Sequence, residues 1–161
     1  MITLVLGGVR SGKSAVAERI AAATAEHVTY LATGRLDLGD DDFAERVAAH
    51  QQRRPANWST VEVQGDLAGA LRGVEGIVLV DSLTTWVAAG EVDLDATLAA
   101  LQARDGHTVL VSDEVGLGGI AMSKDGRDFA DALGDVNQGV AAIADEVLLV
   151  VAGRVLPLES R

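Results

Sequence analysis

A glycine-rich run near the start of the chain, Gly7-Gly8-Val9-Arg10-Ser11-Gly12-Lys13-Ser14, carries the residue types needed to hold a polyphosphate. Its spacing is G-x-x-x-x-G-K-S. It follows a short apolar run, Ile2 to Leu6, and leads into helix formers from Ala15 to Ala22. Strand, glycine turn and helix in that order are the context that makes the pattern a P-loop. The glycines let successive backbone N–H groups turn inward around phosphate oxygens. The helix that begins there adds its positive dipole end to the same anion site. Lys13 has the reach for the β- and γ-phosphates, and the Ser14 hydroxyl is placed to ligate Mg²⁺. The expected ligand is a nucleoside triphosphate.

Other residues could do chemistry with that nucleotide. Asp81 closes the apolar run Gly76 to Val80, where a P-loop enzyme carries its Mg²⁺-associated acid. An N-cap for a helix starting at Ser82 would also explain it. Glu114 and Asp113 end a further apolar run, and either could accept a proton from a substrate hydroxyl. Turn chemistry explains Asp113 equally well. His50 falls near the end of a helical pattern, where its ring could simply meet the helix dipole. A neutral imidazole is also a competent nucleophile toward phosphorus. Arg46, Arg53 and Arg54 could hold phosphates or form a solvated face. Glu62 lies on a short strand as an exposed position or a site residue. His27 and His107 read as strand-end residues, and Trp58, Trp86 and Met122 as packing. Three scattered histidines without cysteine make zinc a poor expectation.

These residues need a scaffold, and the hydrophobic pattern supplies one. His27 to Ala32, Thr60 to Val63, Gly76 to Val80, His107 to Val111 and Glu146 to Val151 read as strands. Between them lie helical patterns at Phe43 to about Gln52, Asp66 to Leu71, Leu94 to Ala103 and Gly126 to about Ala144. Val115 to Asp125 reads as a long loop. Val155-Leu156, after Ala152-Gly153-Arg154, reads as an antiparallel edge strand. Alternating strands and helices predict an α/β fold, a mainly parallel sheet covered on both faces. The polar residues Thr33, Asp81, Asp113 and Glu114 follow their strands, at the carboxyl edge where such sheets bind ligands.

Composition bounds the rest. The chain has 161 residues, the size of one domain spanning 1–161, and is 48% hydrophobic but only 3% aromatic. Its formal net charge of −11 disfavours nucleic acid and anionic membranes as partners. The lack of cysteine excludes disulfides and thiolate catalysis. No apolar stretch reaches the roughly 18 residues of a membrane span, and Ile2 to Leu6 is too short for a signal peptide. The expected setting is the cytoplasm.

The order of motifs resembles one family. Gly7 to Ser14 is similar to its GGxRSGKS loop, and Tyr30-Leu31-Ala32-Thr33 to its second-strand YxAT. Arg46-Val47 through His50 to Arg54-Pro55, with Trp58 and Glu62, follows its R-[IV]-x-x-H…R-P…W…E run. Asp81-Ser82-Leu83-Thr84-Thr85-Trp86, Glu114-Val115-Gly116 and Gly134-Asp135-Val136-Asn137-Gln138 resemble its D-x-L-T-x-W, EVG and G-x-[LV]-N-Q segments. The family is the bifunctional adenosylcobinamide kinase / adenosylcobinamide-phosphate guanylyltransferase of cobalamin biosynthesis. The resemblance implies phosphorylation of the aminopropanol hydroxyl of adenosylcobinamide by ATP or GTP. Transfer of GMP from GTP to that phosphate would follow, through a guanylylated histidine that only His50 matches. The residue pattern itself already offers Lys13 and Glu114 as catalytic candidates, and Ser14 and Asp81 for Mg²⁺. Gly7, Gly8, Val9, Arg10, Ser11, Gly12, Lys13 and Ser14 would hold phosphates. Thr33, Gly34, Gln51, Gln52, Arg53, Arg54, Glu62 and Asp81 would line the nucleotide site. A RecA-like P-loop domain and a homotrimer are implied as well. The chain departs from the family at Gly119 to Arg127, which lacks the usual proline, and in the brief segment Ala88 to Asp93. A P-loop kinase without the transferase step, and a GTP-binding regulatory module, remain open as alternatives.

Overall fold

The computed structural model describes residues 1–24, 27–34, 55–90 and 92–159. The expected helix at Phe43 to Gln52, with His50, Gln51, Gln52, Arg53 and Arg54, lies outside them. The described residues form a seven-stranded sheet. In chain order its strands are β1 (Ile2–Gly7), β2 (Val28–Ala32), β3 (Ser59–Glu62), β4 (Ile77–Asp81), β5 (Thr108–Asp113), β6 (Glu146–Val151) and β7 (Arg154–Leu158). The helices are α1 (Lys13–Thr24), α2 (Leu67–Arg72), α3 (Leu83–Ala88), α4 (Leu94–Gln102) and α5 (Lys124–Ile143), with a 3₁₀ turn at Gly116–Gly118. Strand order is β3-β2-β4-β5-β1-β6-β7. All neighbours run parallel except β6 and β7, the antiparallel edge pair.

Period-two alternation decides what each face of the sheet packs against. Leu4, Leu6, Val78, Val80 and Leu110 point to one face, where they meet Leu67, Leu83, Trp86, Leu101, Leu133 and Val140 of α2 to α5. Val5, Leu79, Val109, Val111 and Val150 point to the other and meet Val16, Ala17 and Ala21 of α1. Burial on both faces is why these strands read as continuous apolar runs rather than alternating ones. Trp86 packs as expected and donates its indole N–H to the Gly65 carbonyl at 2.8 Å.

The amino edge of the sheet is tied by polar contacts. Asp145 accepts from the Ile2 N–H at 2.6 Å and donates its own N–H to the Ile2 carbonyl. The buried His107 ring pairs through Nε2 with the Thr3 hydroxyl at 3.0 Å. The Arg104 guanidinium donates to the carbonyls of Leu71, Val74 and Gly76, joining α2 to β4 from the end of α4. His27 Nδ1 donates to the Asn57 carbonyl at 2.5 Å and its Nε2 pairs with the Ser59 hydroxyl at 3.1 Å beside β3, so both histidines are strand-end residues as expected.

Candidate active site

The connection from β1 to α1 is built for close approach. Gly7 ends the buried strand, and a Cβ there would lie 2.5 Å from Ser11 Oγ and 2.7 Å from the Val150 carbonyl. Gly12 takes φ +95°, which excludes side chains at ordinary cost. Arg10 also has positive φ, a strained state that non-glycine residues hold mainly at functional loops. The Ser11 N–H closes the turn on the Gly8 carbonyl, and the Val16 N–H starts the helix on the Gly12 carbonyl. The β6–β7 turn braces the loop from outside: the Gly153 N–H donates to the Ser11 carbonyl at 2.8 Å.

Lys13 folds back over this loop. Its Nζ lies 2.6 Å from Asp113 Oδ1 and donates to the Gly8 carbonyl at 3.3 Å. Both side chains are mostly shielded from water, so solvent screens the attraction less than at an open surface. Asp113 is in turn held by its backbone. Its N–H donates to Thr84 Oγ1 at 2.8 Å, and its carbonyl accepts from Asn137 Nδ2 at 3.1 Å. The acid beside the P-loop lysine is therefore positioned from α3 and α5 together. Nothing in the local sequence distinguishes this role from a turn residue. The parallel register that sets Gly7 opposite Asp113 creates it.

Asp81 ends β4, two strands from β1 with β5 between them. Setting aside the edge strands β3 and β7, the order β6-β1-β5-β4-β2 is the RecA-like form of the P-loop fold. Asp81 is not the cap of α3. Ser82 is: its hydroxyl accepts from the Thr85 N–H at 3.3 Å, and Thr85 Oγ1 accepts back from the Ser82 N–H, a capping box. The capping explanation for Asp81 is thus corrected, which leaves the carboxylate free of that structural duty. It accepts from the Tyr30 hydroxyl at 3.0 Å. The peptide bond Asp81-Ser82 is cis. Thr33, almost wholly buried, accepts from the Ser82 N–H at 2.9 Å and donates to the Ser82 carbonyl at 2.5 Å.

The remaining expected residues fall along the same edge. Ala32 is in register with both Asp81 and Glu62, so Thr33, Gly34, Asp81 and Glu62 belong to one end of neighbouring strands. Glu62 is exposed on β3. Glu114 follows Asp113, donates its N–H to the Gly7 carbonyl at 3.1 Å and accepts from the Gly116 N–H at 3.1 Å. Beyond it the loop presents three apolar side chains to solvent: Leu117 is 78%, Ile120 88% and Met122 98% exposed. Met122 therefore does not pack as expected, because the loop carries it clear of the domain. Its successor, Ser123, caps α5 two residues earlier than the sequence pattern suggests.

A glycine cradle at a helix start, a lysine inside it and acids at the ends of neighbouring strands define a nucleotide-binding enzyme of the P-loop class. The chain belongs to the cobinamide kinase / cobinamide phosphate guanyltransferase family, whose model matches residues 3–158. It is 37% identical to the bifunctional adenosylcobalamin biosynthesis protein CobP of Pseudomonas aeruginosa, over 99% of this chain and 98% of that one. It is 36% identical to the bifunctional adenosylcobalamin biosynthesis protein CobU of Escherichia coli, over 95% of this chain and 97% of the relative. The corresponding protein of Salmonella typhimurium matches at 36% identity over the same shares. These are transferases, and the family places this chain among them.

Proposed function

We propose that this chain phosphorylates the aminopropanol hydroxyl of adenosylcobinamide and then transfers GMP from GTP to the new phosphate. The observation that carries the first step is the Lys13–Asp113 pair in the glycine cradle, with Glu114 as the next residue. Gly7 to Ser14 bind the phosphates of ATP or GTP, and Lys13 exchanges or shares Asp113 for the β- and γ-phosphate oxygens. The substrate hydroxyl oxygen attacks the γ-phosphorus, its proton passes to the Glu114 carboxylate, and the bond to the β,γ-bridging oxygen breaks. Ser14 on the first turn of α1 and the Asp81 carboxylate would offer hard oxygen donors of the kind Mg²⁺ takes alongside phosphates and water. When bound, that ion neutralises charge developing on the transferred group.

The second step rests on the family resemblance of His50. Its imidazole nitrogen attacks the α-phosphorus of GTP and pyrophosphate leaves. A phosphate oxygen of adenosylcobinamide phosphate then attacks the same phosphorus and releases the histidine, giving adenosylcobinamide-GDP. Two in-line displacements replace one difficult transfer. Gln51, Gln52, Arg53, Arg54, Thr33, Gly34 and Glu62 line the guanine nucleotide in this reading. The apolar Leu117, Ile120 and Met122 beside Glu114 suit a substrate built around an apolar macrocycle. A homotrimer in the cytoplasm is the expected assembly, supported by exposed Val151, Val155, Leu156 and Leu158 on the edge hairpin. Light scattering across protein concentrations tests it, and a strict monomer removes it.

The decisive experiment is intact-protein mass after incubation with GTP and Mg²⁺, for wild type and His50→Ala. An acid-labile increment the size of GMP on wild type alone is expected. No increment on either protein, with nucleotide binding intact, would leave a P-loop kinase and remove the transferase step.

A further inference from the structure

The segment Gly134-Asp135-Val136-Asn137-Gln138 reaches the site above only through the Asn137 amide on the Asp113 carbonyl, yet it borders a cavity of about 420 Å³. The cavity lies between α5 and the β1–β6 side of the sheet, lined by Glu114, Asn137, Gln138, Ala141, Val147 and Leu158 among others. That volume is within the range of small-molecule sites. Glu114 is thus shared between the cavity and the proposed phosphoryl-transfer site.

Asn137 is 93% buried, the complement of its 7% exposure. Its Nδ2 is used on the Asp113 carbonyl. Its Oδ1 is buried and takes no hydrogen bond from any described residue. A buried acceptor left unpaired costs about 1–3 kcal/mol, so a native structure that keeps one needs a reason. Ser112 Oγ is unpaired in the same way, and Ser112 shares its register with Leu6, which also lines the cavity. The ionisable groups on the lining are Glu114, Asp145 and Glu159, all acidic. Their charge repels phosphate and carboxylate. A fitting ligand offers an N–H to Asn137 Oδ1, carries no negative charge, and can accept from the Gln138 amide. A primary carboxamide meets all three conditions.

We propose that this cavity is a carboxamide subsite in which Asn137 Oδ1 and the Gln138 amide grip one amide-bearing arm of the corrinoid substrate. The inference rests on the cobinamide reading above, since cobinamide carries primary carboxamide arms around its ring. The cavity takes an arm, and the ring stays outside beside the exposed apolar loop. Gripping an arm next to Glu114 holds the substrate hydroxyl near its proton acceptor. Asn137 is a binding residue through Oδ1 and a positioning residue for Asp113 through Nδ2.

The test begins without turnover. Isotope-labelled wild-type protein is titrated with propionamide, propionate and propylammonium, and the side-chain amide resonances of Asn137 and Gln138 are followed. Shifts with propionamide alone are expected. Equal response to all three, response to propylammonium as strong as to propionamide, or no response would overturn the proposal. Steady-state kinetics then use adenosylcobinamide with Asn137→Leu and Gln138→Leu, the second at an exposed position where folding is secure. The KM for adenosylcobinamide should rise about tenfold in each, and in Gln138→Leu, which makes no contact with Asp113, the nucleotide KM should stay within about twofold. An unchanged corrinoid KM in Gln138→Leu, or a nucleotide KM that rises equally in that variant, would overturn the subsite and leave Asn137 as a prop for Asp113 only. Wild type that binds propionamide but fails to phosphorylate adenosylcobinamide would sink the proposed reaction and not the carboxamide site.

Discussion

Replacing Asp81 by asparagine separates a chemical role from a structural one, because the structure has removed the capping alternative. Ser82 and Thr85 satisfy the start of α3 between themselves, so that helix end does not depend on the Asp81 charge. Asparagine keeps a carbonyl oxygen for the Tyr30 hydroxyl, now 3.0 Å from Oδ2. The structural loss is the charge-assisted part of such bonds, about 1 kcal/mol. For a chain of this size that lowers the thermal midpoint by about 2–4 °C. Removing an acid that supports a transition-state cation costs far more, about 3–4 kcal/mol, or roughly 10²–10³ in kcat. The assay pairs circular-dichroism melts with transfer of labelled γ-phosphate from ATP or GTP to adenosylcobinamide over a Mg²⁺ titration. Asp81→Asn should melt close to wild type and lose rate that added Mg²⁺ does not fully restore. Retention of activity within about threefold at every Mg²⁺ level would refute the metal-associated role. A midpoint lower by more than about 10 °C would show that the charge holds the fold instead.

Two further predictions test the cradle and the amino edge. Gly7→Ala drives a methyl group into Ser11 Oγ and the Val150 carbonyl; the latter is strand backbone and cannot swing away. Overpacking of this kind costs about 1–3 kcal/mol. Calorimetric titration should show nucleotide affinity down at least about tenfold, and wild-type affinity and melting would refute the close-approach argument. Burial, and then the nearby N-terminal ammonium, lower the pKa of His107 below its ordinary value near 6.5. The folded ring is therefore neutral where the unfolded chain begins to protonate. Its contribution is present above the unfolded pKa and is lost as pH falls below about 6.5 toward the lowered folded value. Thermal midpoints of His107→Gln should fall less steeply than those of wild type between about pH 7 and pH 5. Parallel slopes would refute it.

What could be read from residues in order was the local part. The glycine cradle, its flanking strand and helix, the apolar strands and the antiparallel hairpin depend on near neighbours and short periods, and the structure repeats them to within two residues. Single side chains with several local explanations were different. Asp113 suits a turn or a base equally well until parallel pairing sets it opposite Gly7 and beside Lys13, as an ion-pair partner. Asp81 admits a cap beside its metal-associated role until Ser82 is seen to fill that place. Asn137 is one polar residue on an amphipathic helix until its amide is found bridging to β5 with an oxygen to spare. Sequence by itself determined the phosphate-binding loop and the α/β class, because both are written in contiguous residues. Only the tertiary structure decided which acid meets Lys13, which residue caps α3, and that Asn137 borders the cavity with its oxygen unpaired. The contacts of Asp113 with Lys13 and with Asn137 join residues 100 and 24 positions apart in the chain, and the strand register that brings them together is a property of the whole sheet.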